Sequence, residues 1–294
     1  MLYVLLEFFK FYLKVFNMLY LVSTPIGNLK DISARAIEIL QSADLIACED
    51  TRTTGSLLNL LGIKHGALTA YHEHNADKAR PALIEKLKKG VMIALVSDAG
   101  TPLVSDPGFR LVRECRIHDI PVTTVPGANA VLSALQLSGL PSDSFYFGGF
   151  LPPKSTARQQ TLQDIKDLPT TVIFYDTPNR LIKTLNDILT VCGNRQMAVV
   201  REITKKFEET RLDSVQNLIN YYTQNGAPKG ELVLVIDRAD KSQKAFSPTD
   251  IDKLILKTLK TSSVRDTAEI VSQMTQEPKK QIYKRAVELN GQSS

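Results

Sequence analysis

The chain has 294 residues, with 36 Lys and Arg against 31 Asp and Glu, so its formal net charge is +5. Hydrophobic residues make up 43% and charged residues 23%, which excludes a mainly disordered, collagen-like or coiled-coil chain. The length predicts two domains with room for a small appendage, and the mild basic excess allows an anionic partner without requiring one. Because Cys48, Cys115 and Cys192 are widely spaced and odd in number, we expect neither a disulfide framework nor a cysteine zinc site, and a cytoplasmic location.

Residues 1–17 are apolar and aromatic, but Glu7, Lys10 and Lys14 interrupt them. A spanning helix needs about 20 mostly apolar residues, and a signal peptide carries its positive charge before the apolar run, so we expect neither. Because the three charges recur at helical spacing, an interfacial helix lying on a membrane stays open. We favour a dispensable extension ahead of Met18, with no stable membrane association.

From Met18 onward, strand and helix patterns alternate. The run at 91–100 is apolar until it ends in small and acidic residues, as a buried parallel strand does. The alternation predicts an α/β domain over residues 18–148, with a parallel sheet covered by helices. The predicted strands are 18–23, 43–50, 67–72, 91–100 and 121–125, and the predicted helices are 33–40, one ending near Leu61, 78–90, 107–118 and 128–138.

A second α/β domain is predicted over residues 149–238, after a boundary at 148–155 where two prolines stiffen the chain. A polar linker then leads to a small three-helix domain at 246–294. Within the second domain we predict strands at 170–175, 196–202 and 230–237, a helix at 178–190 and an extended hairpin arm at 205–214.

Three predicted strand ends carry residues typical of a ligand site, because ligands of open α/β sheets bind outside the carboxyl ends of the strands. The first is STPIGN at 23–28, where Gly27 lets the backbone approach a ligand, although a plain tight turn fits it as well. The second is SDAGTPLVSDPG at 97–108, which concentrates acidic residues and glycines after a buried strand and favours a ligand loop. The third is VPGANA at 125–130, where Gly127 precedes a helix whose free N–H groups suit a carboxylate or a sugar hydroxyl.

Two charged clusters are further candidates. ACEDTR at 47–52 crowds Glu49, Asp50 and Arg52 at a strand end, where a capped helix start and a functional cluster fit equally well. YHEHN at 71–75 has two histidines flanking a glutamate, but no further His or Cys stands at the spacing of a zinc site. We therefore expect no metal and a polar or substrate-facing loop there.

The blocks LYLVSTPIGN, ACEDTR, LVSDAGTPLVSDPG and VPGANA, in this order and spacing, resemble the tetrapyrrole-methylase-fold methyltransferases that depend on S-adenosylmethionine. Within them the chain resembles the ribosomal RNA small subunit methyltransferase I group, and GFLPPKS, IFYDTPNR, REITK and KGELVLVI continue the likeness to about residue 238. The resemblance implies a parallel-sheet first domain, a mixed-sheet second domain and often a small helical C-terminal extension. It also implies a homodimer that methylates the 2′-hydroxyl of a cytidine in the decoding region of small-subunit (16S) rRNA.

The resemblance further implies a deep cleft between the two α/β domains for the methyl donor. At the first turn, glycine-richer forms are typical of porphyrinoid methylases, so STPIGN points away from such substrates; Ala-Asn after the Pro-Gly turn at 126–127 is a modest departure from the group. The implied donor-binding residues are Thr24, Pro25, Ile26, Gly27, Asp98, Ala99, Gly100, Thr101, Ala128, Asn129, Tyr175 and Gly230.

For catalysis we favour Glu49, Asp50 and Arg52, since a carboxylate there can accept the hydroxyl proton and the arginine can hold a phosphate. His72, Glu73, Glu202 and Lys205 remain further candidates. The RNA, or the assembled 30S subunit, needs basic contacts on exposed loops and on the last helix. The predicted contacts are Lys154, Arg158, Lys166, Lys205, Lys206 and Arg211, and then Lys279, Lys280, Lys284 and Arg285.

Three rival functions stay open. A porphyrinoid C-methyltransferase on the same fold is disfavoured by the first turn and the basic surface. A non-enzymatic RNA-binding protein would differ in failing to bind the methyl donor. An ordinary nucleotide-binding enzyme is disfavoured because the first turn lacks both the G-x-G-x-x-G and the G-x-x-x-x-G-K-[ST] pattern.

Overall fold

A computed structural model of the chain describes residues 18–239, 248–275 and 277–291. The predictions made for residues 1–17 and for most of the polar linker lie outside these ranges. The described residues form two compact units, of which the first contains residues 18–166 and 170–237. The second contains residues 167–169 and the described part of the chain from Arg238 onward.

The first sheet of the larger unit is wholly parallel, which confirms the predicted α/β architecture. Its five strands stand in the order β3-β2-β4-β1-β5. They are β1 (Leu19–Val22), β2 (Leu45–Cys48), β3 (Ala67–Ala70), β4 (Ile93–Val96) and β5 (Val122–Val125). The connection after β1 leads to β2 on one side of the sheet, and the connection after β4 leads to β5 on the other side. The adjacent strands β1 and β4 therefore form a topological switch point, where ligands of such sheets bind.

The helices around this sheet are α1 (Ala34–Ser42), α2 (Thr51–Leu60), α3 (Ala76–Lys88) and α4 (Phe109–Ile117). Side-chain caps set where two of them begin, because the first N–H groups of a helix lack partners within it. Ser33 Oγ accepts the N–H of Ala36 at 3.1 Å, and Asp50 Oδ1 accepts the N–H of Arg52 at 2.8 Å. Apolar clusters lie on both faces of the sheet, so β2 and β4 are buried along their whole length.

The second sheet is mixed, as predicted, in the order β6-β7-β10-β8-β9. Its strands are β6 (Phe145–Phe150), β7 (Thr171–Asp176), β8 (Gln196–Arg201), β9 (Glu209–Ser214) and β10 (Leu232–Ile236), and only the β6–β7 pair among them is parallel. Helix α5 (Ala130–Ser138) packs its apolar face on this sheet, beside Ile173, Val200 and Val235. Helices α6 (Ser155–Ile165), α7 (Leu181–Cys192) and α8 (Val215–Asn225) complete the unit.

The predicted domain boundary at 148/149 falls inside β6, so the second sheet begins earlier, at Phe145. Within β6, Gly148 allows close contact with the neighbouring strand β7, since a Cβ placed there would lie 2.2 Å from Cε1 of Phe174. The predicted arm at 205–214 is a strand only over Glu209–Ser214, where β9 pairs with β8.

The prediction that Arg158 is an exposed RNA contact is wrong. Arg158 lies in α6 with 2% of its surface exposed, and its Nη2 is 2.6 Å from Oδ2 of Asp187 in α7. Its Nη1 also donates to the carbonyls of Pro152 and Pro153, at 3.2 and 3.1 Å. Arg158 is therefore an internal tie between two helices and the segment before α6.

The smaller unit is the predicted three-helix domain. It contains α9 (Pro248–Leu259), α10 (Val264–Thr275) and α11 (Lys279–Gly291). Apolar side chains of all three helices form its core, namely Ile255, Ala268, Val271, Ile282, Ala286 and Leu289. Across both units, the helices that the structure describes are too short or too polar to cross a membrane.

Candidate functional site

The ends of β1, β4 and β5 are joined into one rigid floor at the carboxyl edge of the first sheet. Thr24 and Gly100 exchange two backbone hydrogen bonds, of 2.9 and 3.0 Å. Thr101 then donates its hydroxyl to the carbonyl of Ala128 at 3.1 Å and accepts a bond from Asn129 Nδ2 at 3.2 Å. Because small and hydroxylated residues stand at these strand ends, three loops from distant parts of the sequence approach within hydrogen-bond distance.

A cavity of about 370 Å³ opens above this floor, between the two sheets. The second sheet closes it with the ends of β7 and β10 and with Phe150 of β6. Of the predicted donor-binding residues, eight line the cavity: Ile26, Asp98, Ala99, Gly100, Thr101, Asn129, Tyr175 and Gly230.

The other predicted donor residues lie outside the lining of this cavity. Pro25 is buried, and Thr24 and Ala128 hold the floor through the hydrogen bonds above. Gly27 faces the second sheet, because a Cβ there would lie 2.5 Å from Cγ of Lys205. These residues shape the cavity, and their side chains do not reach into it.

Sequence reasoning missed part of the wall. The lining also includes Val104, Ser105, Asp106, Ala130, Phe150, Asp176, Thr177, Glu231, Leu232 and Val233. A signal in the sequence could have found two of them: Asp176 ends the apolar strand β7 and Glu231 directly precedes the apolar strand β10, much as Asp98 stands shortly after β4 in the first sheet. Asp176 is 3% exposed, and its Oδ2 accepts no hydrogen bond from the residues that the structure describes.

The cavity combines apolar walls with carboxylates, which suits a flat aromatic ring attached to a cationic group. Val104, Leu232 and Ile26 supply apolar surface, while Asp98, Asp106 and Glu231 supply acidic groups. Burial raises the pKa of Asp106 to about 6, and Glu49 and Asp98 add to the shift. Burial likewise raises the pKa of Tyr175 to about 12, so this phenol remains protonated at neutral pH. The residues present therefore fit S-adenosylmethionine, whose adenine is aromatic and whose sulfonium and ammonium groups are positive.

The three residues favoured for catalysis do not form one site in the structure. Asp50 caps α2 and is paired with Arg52 at 2.7 Å, and the hydrogen bonds from Arg52 hold the pKa of Asp50 well below its usual range. This pair fits the capped helix start, and neither residue lines the donor cavity. Glu49 lines a different, neighbouring cavity, and burial followed by the charge of Asp98 raises its pKa.

The predicted basic residues also differ in their surroundings. Lys154 is exposed, whereas Lys205 is half-buried, with its Nζ 3.0 Å from Glu202 and 2.9 Å from Glu231. In the smaller unit, Lys279 and Arg285 form ion pairs with carboxylates of α9, α10 and α11, and Lys280 and Lys284 are exposed.

A family model described as Tetrapyrrole (Corrin/Porphyrin) Methylases matches residues 18–219. The ribosomal RNA small subunit methyltransferase I of Mesorhizobium japonicum is 47% identical over 276 residues, which is 94% of this chain and 93% of that protein. The chain belongs to this family. Proteins of the same name from Vibrio cholerae and Escherichia coli O157:H7 are each 42% identical, over 93% of this chain and 96% of the relative. Membership makes the chain an S-adenosylmethionine-dependent methyltransferase.

Solved structures of lower identity share the fold of the family. Diphthine synthase superposes with a TM-score of 0.58 at 14% identity, covering 75% of this chain and 89% of that one. Uroporphyrin-III C-methyltransferase from Thermus thermophilus, in complex with S-adenosyl homocysteine, gives 0.51 at 16% identity and covers 76% and 98%. The likeness establishes the tetrapyrrole-methylase fold for the larger unit.

Proposed function

We propose that the protein transfers a methyl group from S-adenosylmethionine to the 2′-hydroxyl of a cytidine in the decoding region of small-subunit rRNA. The observation that carries the proposal is the cavity of about 370 Å³ where the strand-end blocks meet. Its lining contains eight of the residues expected to bind the donor, and relatives 42–47% identical carry the rRNA methyltransferase name. The proposal includes action as a homodimer in the cytoplasm, where ribosomal subunits are assembled.

Within this proposal, the donor supplies an electrophilic methyl group on a sulfonium, and the chain positions it. Asp98, Asp176 and Glu231 offer acceptors to the donor's hydroxyl, amino and ammonium groups, while Ile26 and Leu232 cover its apolar parts. The backbone hydrogen bonds between Thr24 and Gly100 fix the floor before binding, which limits the entropy lost when donor and acceptor are aligned.

Asp98 has a second contact that affects how it is tested. Its Oδ1 accepts the backbone N–H of Asp50 at 3.2 Å, which ties the end of β4 to the end of β2. Asp98→Ala removes both this tie and the charge, whereas Asp98→Asn keeps an acceptor oxygen and removes only the charge. We expect both variants to weaken donor binding, measured by calorimetry, and Asp98→Ala alone to lower the melting temperature as well.

The decisive experiment uses a labelled methyl donor and small ribosomal subunits from a strain that lacks this activity. Wild-type protein should label the rRNA, and mapping should place the label on a ribose oxygen of one cytidine. Label on a base, or none at all, contradicts the proposal. A parallel reaction with a reduced porphyrinoid tests the rival use of this fold, and absence of donor binding identifies a non-enzymatic RNA-binding protein.

A further inference from the structure

A second cavity of about 450 Å³ adjoins the donor cavity at the carboxyl edge of the first sheet. It lies where β2 and β3 end and α4 begins, and its lining includes none of the donor-binding residues predicted from the sequence. Ser105 and Asp106 line both cavities, so the segment after β4 forms the wall between them.

The backbone of this wall is held in an unusual conformation. Leu103 and Ser105 have φ values of 72° and 65°, a left-handed region that non-glycine residues rarely adopt. Gly108 has a φ of 141°, and a Cβ there would lie 2.8 Å from Cδ1 of Leu103. Such strain persists only where the surrounding structure fixes it, and it gathers at functional sites. Here it holds the Asp106 carboxylate between the two cavities.

The chemistry of the second cavity suits a nucleobase and its ribose. Phe109 contributes an aromatic ring that is 61% exposed, with the Arg110 guanidinium carbon 5.7 Å from its centroid, and Glu49 and Glu73 offer acceptors to an exocyclic amino group. Among the residues that the structure describes, Arg110 is the one cation in the lining, and Asp77 already neutralises it at 3.0 Å. A phosphate would thus meet the carboxylates of Glu49, Glu73 and Asp106, whereas a flipped base would meet acceptors and an aromatic ring.

A buried polar group points to the same conclusion. Tyr71 lines the cavity with 1% of its surface exposed, and within the described residues its hydroxyl makes no hydrogen bond of ordinary geometry. Burial raises the pKa of this phenol, and the nearby Arg80 only partly offsets the effect. Arg80 donates from Nε to Glu114 at 2.6 Å and from Nη1 to Asp77 at 2.9 Å. A nucleoside bound in the second cavity would offer this buried hydroxyl a hydrogen-bond partner.

We infer that the second cavity receives the acceptor ribonucleoside, flipped out of its RNA strand, and that Asp106 accepts the proton of the attacking ribose hydroxyl. The inference rests on the proposed function, because it assumes a ribose acceptor. Asp106 is preferred to Glu49 since it alone of the two also borders the donor cavity.

The step balances without another reactant. The ribose O–H bond breaks and its proton passes to a carboxylate oxygen of Asp106, while the oxygen forms a bond to the methyl carbon. The bond from that carbon to sulfur breaks, and its electron pair stays on sulfur, which becomes a neutral thioether. Asp106 later releases the proton to water. Its raised pKa, about 6, makes it a stronger base than an ordinary carboxylate while most copies stay ionised above neutral pH.

The first test compares Asp106→Asn and Asp106→Glu with Asp164→Asn, a matched change on the exposed side of α6. Loss of a general base lowers the rate by about 10²–10⁴-fold. We therefore expect Asp106→Asn to reduce single-turnover methylation of small subunits by at least about 100-fold, measured at saturating methyl donor so that any change in donor affinity does not enter the rate. Asp106→Glu should recover part of the rate with a shifted pH profile, and the control should match wild type.

The second test probes acceptor binding and needs no turnover. Phe109→Ala is compared with Ile117→Ala, which removes another exposed apolar side chain from the same helix outside the cavity. Stacking on a base contributes about 1–3 kcal/mol, so Phe109→Ala should weaken binding of unmethylated small subunits by about 5-fold or more, and Ile117→Ala should not.

The outcomes separate the inference from the proposed function. If wild-type protein fails to label small-subunit rRNA, the proposed function fails. If wild type labels the rRNA but Asp106→Asn keeps the wild-type rate and pH profile, the assignment of Asp106 is overturned. If Phe109→Ala binds subunits as tightly as Ile117→Ala does, the second cavity is not the acceptor site.

Discussion

Gly27 lies directly against Lys205, although the two residues stand after strands of different sheets. A Cβ on Gly27 would come within 2.5 Å of Lys205 Cγ and 2.9 Å of the carbonyl oxygen of Ile203. The next residue, Asn28, donates its backbone N–H to Thr204 Oγ1 at 3.1 Å. Lys205 in turn pairs with Glu231, which lines the donor cavity. The glycine in the first turn therefore permits the two sheets to meet at the cavity.

The first prediction follows from this contact. Gly27→Ala should force the first turn away from residues 203–205, because backbone as well as side-chain atoms obstruct the new methyl group. Overpacking of this kind costs about 1–3 kcal/mol, and we expect the melting temperature and the donor affinity to fall together. Calorimetric titration and thermal unfolding measure the two effects.

Gly55→Ala is the matched control for Gly27→Ala. Gly55 lies within α2, and a Cβ there would meet its nearest atom, Leu68 Cδ1, at an ordinary 3.6 Å. Alanine is favoured over glycine inside helices by about 1 kcal/mol, so this variant should be slightly more stable than wild type. If Gly27→Ala behaves like Gly55→Ala, the contact between the sheets does not constrain the turn.

The second prediction concerns Arg158, whose charge is internal. Removing one partner of a buried ion pair costs about 3–5 kcal/mol, since the other charge is left buried. Arg158→Ala should lower the free energy of unfolding by about this amount, because the buried Asp187 loses its cationic partner, keeping only the neutral donors Ser155 and Gln159, and the carbonyls before α6 lose the Arg158 donor. Lys154→Ala, at an exposed site four residues earlier, should leave stability nearly unchanged and weaken subunit binding slightly. Denaturant unfolding of both variants distinguishes a structural from an RNA-binding arginine.

How well the structure could be predicted from the sequence depends on how far apart in the chain two contacting residues stand. The parallel sheet and the strand-end cavity were predictable because buried runs such as β4 and the small residues after them are local patterns. Asp50 was not assignable, since a helix cap and a catalytic carboxylate look alike in ACEDTR. Arg158 was misjudged because its partner, Asp187, comes 29 residues later, and the contact of Gly27 with Lys205 is equally invisible to local periodicity.

The third prediction concerns the pH dependence of stability. The pKa of Asp106 is raised to about 6 from a usual 3.8, so the folded state favours the protonated carboxyl. Its contribution to stability is therefore fully present below about pH 4 and is lost as the pH rises through about 6. Asp106→Asn, which cannot ionise, should be more stable than wild type at pH 7–8 and equal to it near pH 4. Thermal unfolding across this range measures the difference, and a pH-independent gap would show that Asp106 does not titrate as stated.

The last prediction divides the four basic residues of α11 into two functional pairs. Lys279 Nζ lies 2.8 Å from Glu269 in α10, and Arg285 Nη2 lies 2.7 Å from Asp252 in α9. These charges are neutralised and join the three helices. Lys280 and Lys284, one helical turn apart on an exposed face beside Tyr283, form no ion pair within the described ranges. This second pair is available to phosphates.

Replacing Lys280 and Lys284 with Ala should therefore weaken binding of small subunits and flatten its salt dependence. Each phosphate contact contributes a slope of about 0.7–0.9 in log affinity against log salt, so the double variant should lose about 1.4–1.8. Replacing Lys279 and Arg285 instead should lower the thermal stability of the three-helix unit and change the salt slope much less. Donor affinity should stay constant in both, because the lining of the donor cavity belongs to the larger unit. Equal losses of salt slope in the two double variants would contradict the division, since they would show that ion-paired and unpaired charges reach the RNA alike.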